Sequence, residues 1–97
     1  MDQQQAAAGF AAMGAEHRLG VLRLLVKAGD KGLPVHEIMA QTGIAASTQA
    51  HHLKMLAQAG LIVQRKQGRA TVNIAHYATL EALAGYILHE CCEAEDG

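Results

Sequence analysis

Along most of this chain apolar residues recur at the three- and four-residue spacing of helices, and β-prone runs appear only between residues 61 and 75. The strongest helical stripe runs through residues 16–28. There Leu19, Leu22, Leu25 and Val26 fall at helical spacing, Val21 and Leu24 widen the stripe, and Gly29 marks its end. Before it, residues 3–13 form a Gln/Ala-rich helix with a weak stripe, broken near Gly14. After it, "DKGLP" reads as a turn, and Pro34 suits the first position of a short helix over 34–42. Gly43 supplies a positive φ in the tight connection "GIAAS", and a second helix over 46–59 closes at Gly60. "LIVQRK" at 61–66 and "ATVNIA" at 70–75 are β-prone runs around Gln67 and Gly68, which predicts a hairpin. Finally, residues 77–92 align Leu80, Leu83, Ala84, Ile87, Leu88 and Cys91 on one helical face.

The predicted fold class is therefore mainly α with a small β-hairpin: about five helices and two strands in a single domain over 1–97. Two short helices joined through a glycine turn and followed by a two-stranded hairpin form a winged helix-turn-helix. In that arrangement the second helix enters the major groove of DNA and the first braces it. This gives a place to "STQAHHLKML", residues 47–56, whose polar side is crowded with hydroxyls, histidines and a lysine. With helical residues about 100° apart, Ala46, Ala50, Leu53, Leu56 and Ala57 are predicted to face the core. Ser47, Thr48, His51, Lys54, Met55 and Gln58 then face outward, with His52 at the flank and Gln49 near the apolar boundary. The outward set suits base edges and phosphates, and Lys54 adds a charge. At the hairpin tip, Arg65, Lys66 and Arg69 are placed as a wing touching phosphates or the minor groove.

His51 and His52 also invite a metal reading, which their spacing argues against. Adjacent residues point about 100° apart on a helix, whereas the useful pair spacing is i, i+4. No cysteine or carboxylate lies within four residues of either.

Charge sharpens the nucleic-acid reading. The formal net charge is −1, yet from Ile38 to Leu80 there is no Asp or Glu, while Lys54, Arg65, Lys66 and Arg69 lie in that window with His51, His52 and His76. A carboxylate there would repel phosphates and oppose counterion release. The acids gather elsewhere, notably at Glu90, Glu93, Glu95 and Asp96.

Composition adds limits on partners and compartment. Hydrophobic residues make up 51 %, but much of this is alanine and only Phe10, Tyr77 and Tyr86 are aromatic, which favours helices packed through small contacts. A chain of 97 residues buries only a modest part of its surface, so a partner subunit is expected. Its apolar runs fall far below the roughly 20 residues that span a bilayer, and "MDQQQAAAGF" lacks the basic start of a signal peptide. The expectation is a cytoplasmic protein without membrane contact. Cys91 and Cys92 are adjacent, and a bridge between neighbours is strained and closes almost no loop, so they read as reduced thiols. Beside His89 they are the only nucleophiles with a nearby base, and no pocket-forming sequence surrounds them. The chain does not read as an enzyme. A small thiol-metal binding protein is the rival from another class.

The stretches "MGAEHRLGVLRLL", "LPVHEIMAQTGIAASTQAHHLKMLAQAGLI" and the wing "RKQGRA" together resemble the ArsR/SmtB family of bacterial winged-helix repressors, over nearly the whole chain. The resemblance implies a homodimer held by its terminal helices, bound to double-stranded operator DNA and repressing transcription. It places DNA contacts at Ser47, Thr48, His51 and His52, with Arg69 in the wing. Two positions depart from the family pattern: Ala50 where a serine is common, and Gln49 where an aliphatic is usual.

Three sensing sites known in the family can be compared with this sequence. A C-x-C site on the first helix of the motif is absent, because "VHEIMAQT" holds no cysteine. A zinc site between last helices lacks its spacing, since His76, His89 and Glu90 do not fit it. The ending "HYATLEALAGYILHECC" instead resembles the arsenic-responsive type, which closes on vicinal cysteines. The implied inducer at Cys91 and Cys92 is arsenite, a methylated trivalent arsenical or another thiophilic ion, with no resident cofactor required. A redox or sulfide signal, or no small-molecule inducer, remains the alternative. The apolar stripe of Leu80, Leu83, Ile87 and Leu88 is the expected dimer seam.

Overall fold

A computed structural model describes residues 1–96. The first helix, α1 (Gln3–Met13), begins at a reciprocal cap. Asp2 accepts from the Gln5 backbone N–H at 2.7 Å, and the Gln5 carboxamide accepts from the Asp2 N–H at 2.9 Å, satisfying two donors that a helix start leaves open. Helix α2 (Glu16–Ala28) follows and is central to the molecule. Its buried side is Val21, Leu22 and Leu25, which join Ile38, Leu53, Leu56 and Leu61 in one core. Each leucine so buried contributes about 1.5–3 kcal/mol.

The buried stripe on α2 is narrower than the sequence predicts. Leu19 and Val26 are 43 % and 42 % exposed, because the core-facing direction passes through Val21, Leu22 and Leu25, toward α4 and the sheet.

A single 3₁₀ turn (Gly29–Lys31) leads into a strand that the sequence pattern did not announce, β1 (Leu33–Pro34). The predicted two-stranded hairpin is thus a three-stranded antiparallel sheet of order β1-β3-β2, with β2 (Ile62–Gln67) and β3 (Ala70–Ala75). Gly32 makes this possible. Its φ is +62°, and a Cβ there would sit 2.3 Å from the Asn73 carbonyl oxygen, so only glycine lets the chain approach β3 so closely. Asn73, fully buried, then ties all three strands: its amide donates to the Leu33 carbonyl at 3.3 Å and its oxygen accepts from Gln64 at 2.9 Å. Pro34 is correspondingly extended, one residue ahead of α3 (Val35–Thr42), instead of opening that helix.

Helix α3 ends at Gly43, whose left-handed conformation turns the chain into α4 (Ala46–Gln58). Across the hairpin, Gln67 pairs with Ala70, leaving Gly68 and Arg69 as the two-residue turn. Gly68 has φ +63° and Arg69 does not have a positive φ, matching the signs of a type II′ turn.

The last helix, α5 (Tyr77–Leu88), stops four residues short of its predicted end. Glu90, Glu93 and Glu95 follow closely, and negative charge is unfavourable at the helix C-terminus. The chain instead passes through turns, with Glu90 and Cys92 at positive φ, into a 3₁₀ segment (Glu93–Asp96). Contacts along its length anchor α5 to the body, with Leu80 and Tyr86 packed against the core. The Tyr77 hydroxyl donates to the Val26 carbonyl at 3.1 Å, and Leu83 seats against Gly9 of α1, where a Cβ would lie 2.9 Å from Leu83 Cδ1.

Candidate nucleic-acid interface

Helix α4 starts from an extended Ala45 that offers no side-chain cap. The N–H groups of its first turn therefore have no side-chain acceptor from the cap residue, and they carry the positive end of the helix dipole. Ser47, Thr48, His51 and Lys54 are exposed along this helix, and His52 is half-buried at its flank. Arg65, Lys66 and Arg69 are exposed on the hairpin, whose β2 packs against α4. The eight predicted DNA-contacting residues thus occupy two neighbouring elements of the fold.

The buried face of α4 differs from the predicted one. Ala46 and Ala50 are exposed, whereas Gln49 is fully buried with Leu53 and Leu56. Gln49 replaces an apolar side chain because its carboxamide oxygen accepts a 3.2 Å hydrogen bond from Thr42 Oγ1, at the end of α3. That hydroxyl also accepts from the Ile44 N–H at 3.3 Å, so one polar cluster fixes the turn between the two helices. Met55, predicted to face outward, is half-buried, sharing an open hollow with Ala8, Ala11 and Ala12 of α1.

On the α2 side of α4 stands a group that sequence reasoning missed. The His17 and His52 rings lie 6.1 Å apart between centroids, and His51 and His52 lie 6.3 Å apart. Burial, and then the nearby charges of Arg18, His17 and His51, hold His52 below the usual histidine range. Its Nδ1 is buried without a protein partner. His17 and His52 are separated by 35 positions, so no local spacing could have signalled the pair.

The C-terminal thiols are exposed and unbridged, with their Sγ atoms 3.1 Å apart. The hydrogen bond with Cys91, followed by desolvation and a bond with Glu95, pushes the Cys92 thiol above its ordinary value. Among the described residues no group of three or more His, Cys, Asp or Glu side chains is gathered to hold a metal ion. The two sulfurs therefore stand as a dithiol pair.

The predicted dimer residues separate into two sets. Leu83 belongs to the chain's own core and Leu80 is half-buried against it. Ile87 and Leu88 are 65 % and 67 % exposed. These two are the large apolar side chains of α5 left exposed among the described residues.

A helix-turn-helix whose second helix is exposed, beside a β-hairpin wing, defines a winged helix-turn-helix protein of the type that reads DNA. Residues 13–65, more than half the chain, match a helix-turn-helix domain family; the chain belongs to that family and has the winged-helix fold of ArsR-family transcriptional regulators. An ArsR-like transcriptional regulator from Rhodococcus sp. RHA1 is 26 % identical, covering 96 % of this chain and 84 % of that one with a TM-score of 0.79. The homodimeric winged helix-turn-helix DNA-binding domain of a possible ArsR-family regulator from Mycobacterium bovis is also 26 % identical. It covers 91 % of this chain and 82 % of its own length, with a TM-score of 0.70. The transcriptional repressor BigR from Xylella fastidiosa shares the fold at 20 % identity and a TM-score of 0.70, over 92 % of this chain and 88 % of that one. No curated protein sequence matches the chain. No helix among the described residues is long and apolar enough to cross a membrane.

Proposed function

We propose that the chain acts as a homodimeric transcriptional repressor, binding double-stranded operator DNA through α4 and the wing and releasing it when a thiophilic ligand joins Cys91 and Cys92. One observation carries the DNA reading. Ser47, Thr48, His51 and Lys54 on an uncapped helix and Arg65, Lys66 and Arg69 on the adjacent hairpin are exposed within a segment that holds no carboxylate from Ile38 to Leu80. Hydroxyls and imidazoles exchange hydrogen bonds with base edges, while the arginines and lysines neutralise phosphates.

A twofold operator needs two such helices about one DNA turn apart, which a dimer supplies. The exposed Ile87 and Leu88 at the end of α5 support a seam there. The solved Mycobacterium bovis relative is described as homodimeric.

The ligand reading rests on chemistry. Two thiolates suit a soft trivalent arsenical, and a monomethyl arsenical needs only two. Because the thiols lie just past α5, with the Cys91 N–H bonded to the Leu88 carbonyl at 2.9 Å, ligation there would pull on the same helix end that carries Ile87 and Leu88 and so rotate the two α4 helices off their half-sites. Coupling of about 1–3 kcal/mol is typical of such switches.

The test is a mobility-shift titration of the protein on DNA from upstream of its own gene, against a scrambled duplex of equal length. Salt-sensitive binding that prefers the upstream DNA supports the proposal. Equal or absent binding to both rejects it.

A further inference from the structure

We infer that the DNA-contacting surface extends from α4 onto the start of α2, where His17 and Arg18 join His51 and His52 in a cationic ridge that takes a phosphate of the DNA backbone flanking the major groove. The inference rests on the reading of α4 as the DNA-facing helix and adds to it a contact that lies outside the helix-turn-helix and the wing.

The placement comes from the helix geometry. With Gln49, Leu53 and Leu56 turned to the core, His52 lies on the side of α4 that meets α2, one turn after Thr48. His17, exposed, lies near His52 with ring centroids 6.1 Å apart, and His51, also exposed, lies 6.3 Å from His52. The three imidazoles thus form a row in which His52 neighbours both others and links α4 to the start of α2. Arg18 backs the row. Its Nε donates to the Ala12 carbonyl, which leaves the remaining guanidinium donors free.

The electrostatics favour an anion at this place. The groups facing His52 are His17 and Arg18 from α2 and His51 from its own helix, every one cationic or able to become so. α1 carries no titratable side chain between Gln3 and Met13. Glu16, the acid of the first α2 turn, is not among the charges acting on His52. His52 Nδ1 is a buried polar atom with no partner in the protein. Burial and the charges of Arg18, His17 and His51 oppose a proton on His52 in the free protein, no carboxylate acts to offset them there, and a phosphate would relieve that opposition. Bound DNA therefore draws protons onto the ridge, and the contact strengthens as pH falls through the histidine range.

The experiment measures fluorescence anisotropy of the full chain on the upstream duplex and on the scrambled duplex, as a function of salt, at about pH 6 and about pH 8. Wild-type protein is expected to show a steeper salt dependence at the lower pH. His17→Gln should lower the magnitude of the slope by about one unit at pH 6 on both duplexes and have little effect at pH 8. His17→Lys, charged at both values, should keep the steep slope at pH 8. His17 is exposed, so neither variant disturbs the core. If His17→Gln and His17→Lys match wild type at both pH values while Arg69→Ala still weakens binding, the ridge is not a contact and the α4 reading survives. Wild-type protein that binds neither duplex overturns both.

Discussion

The Thr42 hydroxyl donates a 3.2 Å hydrogen bond to the Gln49 carboxamide oxygen, joining the end of α3 to the buried face of α4. Gln49 is 0 % exposed, and its Nε2 is buried without a partner. The bond satisfies the carbonyl end and leaves the amide end paying for its desolvation. Replacing Gln49 by leucine removes both polar ends at similar volume. Gln49→Leu is expected to melt at or above wild type, because an unmet buried donor costs about 1–3 kcal/mol. Thr42→Val should destabilise the wild type by about 1 kcal/mol and have less effect in the Gln49→Leu background. Denaturant melts of the four proteins give the cycle, and equal Thr42→Val effects in both backgrounds would deny the coupling.

On α5 the apolar residues have two separate tasks. Leu83→Ala opens a hole against Gly9 and α1 and should cost about 2–5 kcal/mol in an unfolding titration. Ile87→Glu and Leu88→Glu, at exposed positions, should leave the monomer folded and move sedimentation from dimer to monomer. Operator affinity should fall with the dimer, since one half-site offers about half the contacts. Wild-type protein that sediments as a monomer at micromolar concentration and still binds a symmetric operator tightly would contradict the seam.

Contacts to phosphate and contacts to bases have different signatures. Arg69→Ala at the wing should weaken binding to every duplex and reduce the salt slope by about one unit. Ser47→Ala and His51→Ala should instead alter sequence preference, at about 1–3 kcal/mol for each lost base contact. Binding measured on a panel of single-base operator variants separates the two. A triple variant with unchanged affinity and preference would remove α4 and the wing from the interface.

Stability of the free protein should respond to acid through His52. Its folded-state pKa is lowered by burial and by Arg18, His17 and His51, so the native state holds the neutral imidazole. The unfolded chain, titrating near the ordinary value of about 6.5, binds the proton first. Stability is therefore complete above that value and is lost as pH falls through it toward the lowered native pKa. His52→Gln should flatten the pH dependence between about pH 7 and pH 5 in thermal melts. An unchanged slope would show that the imidazole is not strained in the folded chain.

The helices were legible because their stripes and glycines are local. Leu22, Leu25, Leu53 and Leu56 recur at helical spacing, and Gly29 and Gly43 stop α2 and α3. The rest was hidden by contacts between distant positions. β1 is two residues long and depends on Gly32 meeting Asn73 some forty positions later. The rotation of α4 that exposes Ala46 and Ala50 depends on Thr42 supplying a donor to Gln49, which hydrophobicity alone places near the boundary. Both thiols were visible as chemistry, but their turn after Leu88 reflects the acids beyond it and not the apolar stripe that carried the predicted helix to residue 92.

The proposed switch is tested most directly by following fluorescence anisotropy of the labelled operator complex, under reducing conditions, as arsenite, a monomethyl trivalent arsenical and zinc are added in turn. Wild-type protein should leave the DNA with the arsenicals, most strongly with the monomethyl form. Zinc should have little effect, since a chain offering two thiols provides no closed four-ligand set. Cys91→Ser, Cys92→Ser and the double variant should bind the operator as wild type does and stay bound when arsenical is added. A double variant released at the same arsenical concentration as wild type would contradict the account and place the sensor away from these cysteines.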